Sequence, residues 1–182
     1  MLTAAGVPFA AEAAGVDEDA AKASLADLPA RDLADALAEL KALKVSARHP
    51  GALVLGSDSV VGLADGALLD KPVSREEAAD HLRRMSGAVH QLWSAAVIAE
   101  DGRAVWRHVE AARMHVRSLS YSFIDRYLEA EWPAIAGCVG CYRIEGPGVQ
   151  LFDRIEGSQF TVLGMPLIPV LGYLRRRDVI AN

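Results

Sequence analysis

Residues 89–117 read as two long strands that meet at Glu100-Asp101-Gly102-Arg103. No other feature constrains the fold as much, because a hairpin of that length is stable only within a larger sheet. The helices expected around it set the class. Residues 30–48 carry Leu33, Leu37, Leu40 and Lys44 on one face, and His49-Pro50-Gly51 stops the run. Residues 74–86 open with Ser74 and Glu77 at capping-box spacing and close at Gly87, a suitable C′ residue. A third helix follows Ser120, and PLIPVLGYLRRR closes the chain as an amphipathic helix with arginines at its negative end.

Between these lie further strand signals. VPFAAEA after Gly6 reads as a short strand, and ALVLGS as a buried one. SVVGLADGALLD reads as a hairpin, with Asp65-Gly66 favouring a type I′ turn. The glycine-rich AGCVGCYRIEGPGVQLF reads as strands and tight turns. Helical crossovers and hairpins together predict an α/β fold with a mixed, twisted sheet flanked by helices. One domain over residues 1–182 is expected, since the chain is long enough to bury a core without disulfides or metals.

Composition narrows the partners. With 19 Lys+Arg against 24 Asp+Glu, the formal net charge is −5. That disfavours a nucleic-acid polymer or a membrane surface, both anionic. No apolar run approaches the ~18 residues of a spanning helix, and the opening MLTAAGVPFAAEAAG lacks a signal-peptide pattern. The two cysteines, Cys138 and Cys141, fit a cytoplasmic protein without structural disulfides.

Four junctions place polar residues where folding alone does not require them: Val16-Asp17-Glu18, Gly56-Ser57-Asp58, Asp70-Lys71-Pro72 and Ser86-Gly87-Ala88-Val89-His90. Junctions at the carboxyl ends of strands are where α/β proteins bind ligands, and Asp58 is expected at such an end. Carboxylates with lysines nearby suit a Mg²⁺–phosphate site. Caps and turns remain an equally open reading of each single stretch.

Taken in order, GSDSVV, DKP, SGAVHQ, the AG…YRIEG stretch and IEG…TVLGMPL resemble the Maf family of nucleoside triphosphate pyrophosphatases. The resemblance runs from about Met1 to about Arg177. It implies a cytoplasmic α/β enzyme with two lobes and a deep cleft. It also implies Mg²⁺-dependent (or Mn²⁺-dependent) hydrolysis of a nucleoside triphosphate to monophosphate and pyrophosphate. By resemblance, Asp58 is the general base, and Glu18 a metal or water ligand. Asp58 and Glu18 hold the metal, while Lys41 and Lys71 meet phosphates. Ser59 and His90 fall in the motifs expected to meet substrate, and Glu145 stands at the base-reading position, where many members have glutamine. An ionised glutamate only accepts hydrogen bonds, which suits guanine's N1–H and amino edge, and cationic 7-methylguanine better still. This resembles the 7-methyl-GTP branch. A homodimer is left open.

The chain departs from the pattern at its start, where the family's first strand and SxSxRR loop have no counterpart, so it is expected to be N-terminally short. Ser158 and Thr161 replace a common Asp and Asn, and Cys138 a common lysine. Cys138-Val-Gly-Cys141 lacks a second ligand pair for zinc and a following helix for thioredoxin-type chemistry. The rival reading is a non-catalytic relative that binds nucleotides or a cell-division partner, in keeping with the family's link to septum formation.

Overall fold

The computed structural model describes residues 1–181. Its helices are α1 (Glu18–Ser24), α2 (Ala30–Ser46), α3 (Arg75–Met85), α4 (Tyr121–Glu131), α5 (Gln159–Val162) and α6 (Leu167–Arg176). The strands are β1 (Val54–Gly62), β2 (Leu68–Leu69), β3 (Val89–Glu100), β4 (Arg103–Val116) and β5 (Phe152–Glu156). They form one open antiparallel sheet in the order β2-β1-β3-β4-β5. The α/β class with flanking helices is as expected. The strand pairing is antiparallel: Val61 faces Leu69 at one edge, and Arg113 faces Glu156 at the other.

Residues divide into two compact units. The first comprises Met1–Ser59, Trp93–Glu110 and the chain from Ser158 on; the second comprises Val60–Leu92 and Ala111–Gly157. In the first, Val7, Ala96, Ile98, Met165, Leu167, Val170, Tyr173 and Leu174 form a buried cluster. In the second, α3 packs on α4 through residues such as Leu82, Met85, Ile124 and Leu128, all at most 2% exposed.

Local chemistry explains most boundaries. Ser74 accepts from the Glu77 amide at 3.1 Å and Ser120 from that of Phe123 at 3.2 Å, so both expected caps form. Asp101 (φ 49°) and Gly102 (φ 73°) both adopt left-handed backbone, which is the type I′ requirement, in the turn between β3 and β4. The turn after β1 is different. Of Asp65 and Gly66 only the glycine has positive φ (85°), and the Asp65 carboxylate accepts from the Ala67 amide at 2.9 Å. That side-chain contact favours an Asx-type turn over the expected I′ form.

Three further expectations are corrected. Residues 7–13 form no strand; Pro8 lacks an amide donor, Phe9 is 54% exposed, and Glu12 turns to Arg48 and His49 instead. The glycine-rich stretch is turns and a 3₁₀ segment (Pro147–Leu151), with strand only from Phe152. On α2 the buried stripe is Leu33, Ala34, Leu37, Ala38, Ala42 and Ser46, whereas Leu40 is 40% exposed and Lys44 is exposed, bonding the Gly15 carbonyl.

Candidate active site

That alanine-rich stripe determines where the charged residues meet. Gly56 in β1 lies so close to α2 that a Cβ there would sit 2.3 Å from the Ala38 carbonyl oxygen and 2.7 Å from the Ala42 amide nitrogen. Helix and strand therefore approach at backbone distance. Two residues along β1, Asp58 comes within reach of Lys41, which borders the same stripe.

Lys41 Nζ lies 2.5 Å from Asp58 Oδ1 and 2.7 Å from Glu18 Oε1. Glu18 reaches it from the first position of α1, whose N-cap Asp17 accepts from the Ala20 amide at 3.0 Å. So the Val16-Asp17-Glu18 stretch does both jobs considered for it: Asp17 caps, and Glu18 enters the cluster. Asp58 stands fifth in the nine-residue β1, not at its end as expected. The strand tolerates three polar residues there because each is satisfied. Ser57 donates to the Ala95 carbonyl at 2.7 Å, with the Gly164 carbonyl at 2.9 Å. Ser59 lies 2.8 Å from Ser94 Oγ, which itself donates to the Thr161 carbonyl at 2.8 Å. By strand alternation the two serines share one face and Asp58 takes the other. Ser59, expected to meet substrate, has its hydroxyl engaged with Ser94 in the sheet.

The electrostatics follow from partial burial. Burial pushes the Asp58 carboxyl above the ordinary range, Lys41 opposes that shift, and Glu18 adds to it. Burial alone would lower Lys41, but hydrogen bonds to Asp58 and Glu18 outweigh it and hold the ammonium above its ordinary value. Lys41 is thus charged, and Asp58 is a stronger base than an exposed aspartate. A cavity of about 420 Å³ opens beside them, lined by Gly15, Val16, Glu18, Lys41, Gly56 and Ser57 among others.

The remaining expected residues belong to the second unit. Lys71 is exposed just after β2, and Glu145 is exposed before the 3₁₀ segment. Both act on Cys138: burial raises its thiol first, Glu145 adds to the rise, and Lys71 opposes it. Lys71 and Glu145 thus each lie within electrostatic reach of the Cys138 thiol. His90 is corrected from a substrate contact to a core residue, 2% exposed, with Nε2 3.1 Å from the Tyr142 hydroxyl. Burial lowers it to about 4, so it is neutral near neutrality.

A family model described as Maf-like protein matches residues 1–177. The chain belongs to the Maf-like family. Among its relatives, the nucleoside triphosphate pyrophosphatase of Sphingopyxis alaskensis is 52% identical over 177 residues, spanning 96% of this chain and 89% of that protein. The enzyme of the same name from Caulobacter vibrioides is 51% identical, spanning 96% and 88%. The 7-methyl-GTP pyrophosphatase of Brucella suis is 44% identical over 182 residues, spanning 99% and 91%.

In this Maf-like chain, two of the three residues that departed from the family pattern acquire structural roles. Ser158 caps α5, accepting from the Phe160 amide at 3.3 Å. Thr161 donates to Glu110 at 2.6 Å, and Glu110 also bonds His108 at 3.1 Å. Sequence reasoning named Gly56 in a polar junction but missed its close packing on α2, whose signal was a glycine inside an apolar strand. It also passed over Lys22, whose signal was its position four residues after Glu18.

Proposed function

We propose that this Maf-like chain hydrolyses a nucleoside triphosphate to the nucleoside monophosphate and pyrophosphate. One observation carries the reading: a single ammonium, Lys41, shared by Asp58 and Glu18 beside a cavity. Asp58 accepts a proton from water as its oxygen attacks the α-phosphorus. The bond from that phosphorus to the bridging oxygen breaks, and pyrophosphate leaves with the electron pair. Lys41 offsets charge that builds on the phosphoryl oxygens and keeps Asp58 ionised. Relatives named for this activity, half identical over nearly the whole chain, support the same reading.

Glu18 and Asp58 also fit the expected Mg²⁺. Both are hard oxygen donors, and Mg²⁺ commonly binds through one or two carboxylates while taking its other ligands from phosphates and water. Among the described residues no group of three His, Cys, Asp or Glu side chains forms a closed metal cage. When bound, the cation neutralises triphosphate charge.

For the base we assign Glu145, in keeping with the relatives named 7-methyl-GTP pyrophosphatase. Glu145→Gln is expected to move preference from 7-methyl-GTP toward dTTP or UTP; an unchanged ranking would remove Glu145 from base selection. The activity acts on the cytoplasmic nucleotide pool, where it clears modified nucleotides. The deciding experiment is product analysis on a nucleotide panel with Mg²⁺, for the native chain and Asp58→Asn. Monophosphate plus pyrophosphate from the native chain alone is the expected result. Orthophosphate as the first product, or equal turnover by both, would overturn the proposal.

A further inference from the structure

The first unit offers a second ammonium to the same cluster. On α1 and its C-cap, Glu18, Ala21, Lys22 and Leu25 are half-buried, whereas Asp19, Ala20, Ala23 and Ser24 are exposed. The half-buried set follows the i, i+3, i+4, i+7 spacing of one helix face. Lys22 therefore lies one turn from Glu18, on the side from which Glu18 reaches Lys41. Its charge also bears on Asp58, favouring the carboxylate.

Counting charges shows why this matters. Glu18 and Asp58 against Lys41 alone leave the cluster with surplus negative charge. Glu12, on the cavity wall, is answered separately by Arg48 and His49. A site of net negative charge repels a triphosphate. Lys22 balances the Glu18, Lys41 and Asp58 cluster, and Lys44, bonded to the Gly15 carbonyl of the cavity wall, adds positive charge at its edge, so the approach of a polyanion is no longer opposed.

We propose that Lys22 is a phosphate-binding residue, contacting non-bridging oxygens of the triphosphate chain handled by Glu18, Lys41 and Asp58. The assignment rests on the pyrophosphatase reading and extends it by one residue. A lysine that only braces α1 against Glu18 through an i,i+4 pair would leave nucleotide affinity untouched, so affinity separates the two roles.

The test uses Lys22→Met, Lys22→Arg and Asp58→Asn in the full chain. Steady-state kinetics with 7-methyl-GTP and Mg²⁺ are run beside calorimetric binding of an α,β-methylene triphosphate analogue. Lys22→Met is expected to weaken analogue binding and raise KM about tenfold or more, the loss of one charge-assisted contact, with a smaller change in kcat. Lys22→Arg is expected to recover most of that affinity. A Lys22→Met protein with native circular dichroism and native analogue affinity would overturn the inference. If Lys22→Met fails to fold, Lys22→Gln replaces it under the same criterion. The pyrophosphatase reading fails separately, through a native chain that releases no pyrophosphate or an Asp58→Asn variant that keeps full turnover. The analogue's affinity tests Lys22 in either case.

Discussion

Two partly or wholly buried titratable residues, Asp58 and His90, tie this protein to pH in opposite parts of its behaviour. Asp58 must be ionised to accept a proton, and burial holds its carboxyl above the ordinary range. The acid limb of kcat/KM is therefore expected at higher pH than an exposed aspartate would give, and Asp58→Asn should lower kcat by about 10²–10⁴-fold. A pH–rate profile measures the first and single-turnover kinetics the second. His90 acts on stability instead. Its folded value of about 4 lies below the ordinary 6.5, so the unfolded chain takes up the proton first as pH falls. Stability from this residue is complete above about pH 6.5 and is lost progressively toward pH 4, by roughly 3 kcal/mol in all. The ring carries charge poorly where it sits, since its buried Nδ1 has no hydrogen-bond partner among the described residues and its neighbours include Tyr142 and Phe152. Melting curves across that window, compared with His90→Gln, check this; parallel pH dependences for the two proteins would refute it.

Contact between α2 and β1 sets the active-site geometry at the level of elements. Gly56→Ala would bring a methyl group against the α2 backbone at Ala38 and Ala42, where no flexible side chain can give way. Overpacking of this kind typically costs about 1–3 kcal/mol, and the helix must move off the strand. Lys41 moves with it, so turnover should fall along with the denaturant midpoint. A Gly56→Ala protein of native midpoint and native turnover would show the contact to be slack. This approach also explains what the sequence could and could not reveal. Helices α2, α3, α4 and α6 were legible from local signals, the serine caps of α3 and α4 and the apolar spacing of α2 and α6. The hairpin of β3 and β4 was legible for the same reason. Helices α1 and α5, of seven and four residues, are too short for periodicity to register. Asp58 looked like a strand end because Ser57, Asp58 and Ser59 are polar, yet their partners are Ala95, Lys41 and Ser94, all distant in sequence. The grouping of Glu18, Lys41 and Asp58 came from family resemblance; spacing alone placed Lys41 only at the flank of an apolar face.

On the scale of the whole molecule, the two units are interleaved along the chain. Strands β1, β3 and β4 each have residues in both. The buried cluster of the first unit draws Val7 from near one end of the chain and Leu167, Val170, Tyr173 and Leu174 from near the other. Removing α6 is therefore expected to abolish the native fold of the first unit, with loss of protection from limited proteolysis along α2. A native digestion pattern for a chain ending at Gly164 would contradict this. The interleaving has a further consequence for biogenesis. Domains generally fold as units during synthesis, the N-terminal one first. Here the last residue of the second unit, Gly157, is synthesised before α6. The middle of the chain is thus complete while its beginning still waits, and nascent α2 remains without its finished core until translation is nearly over.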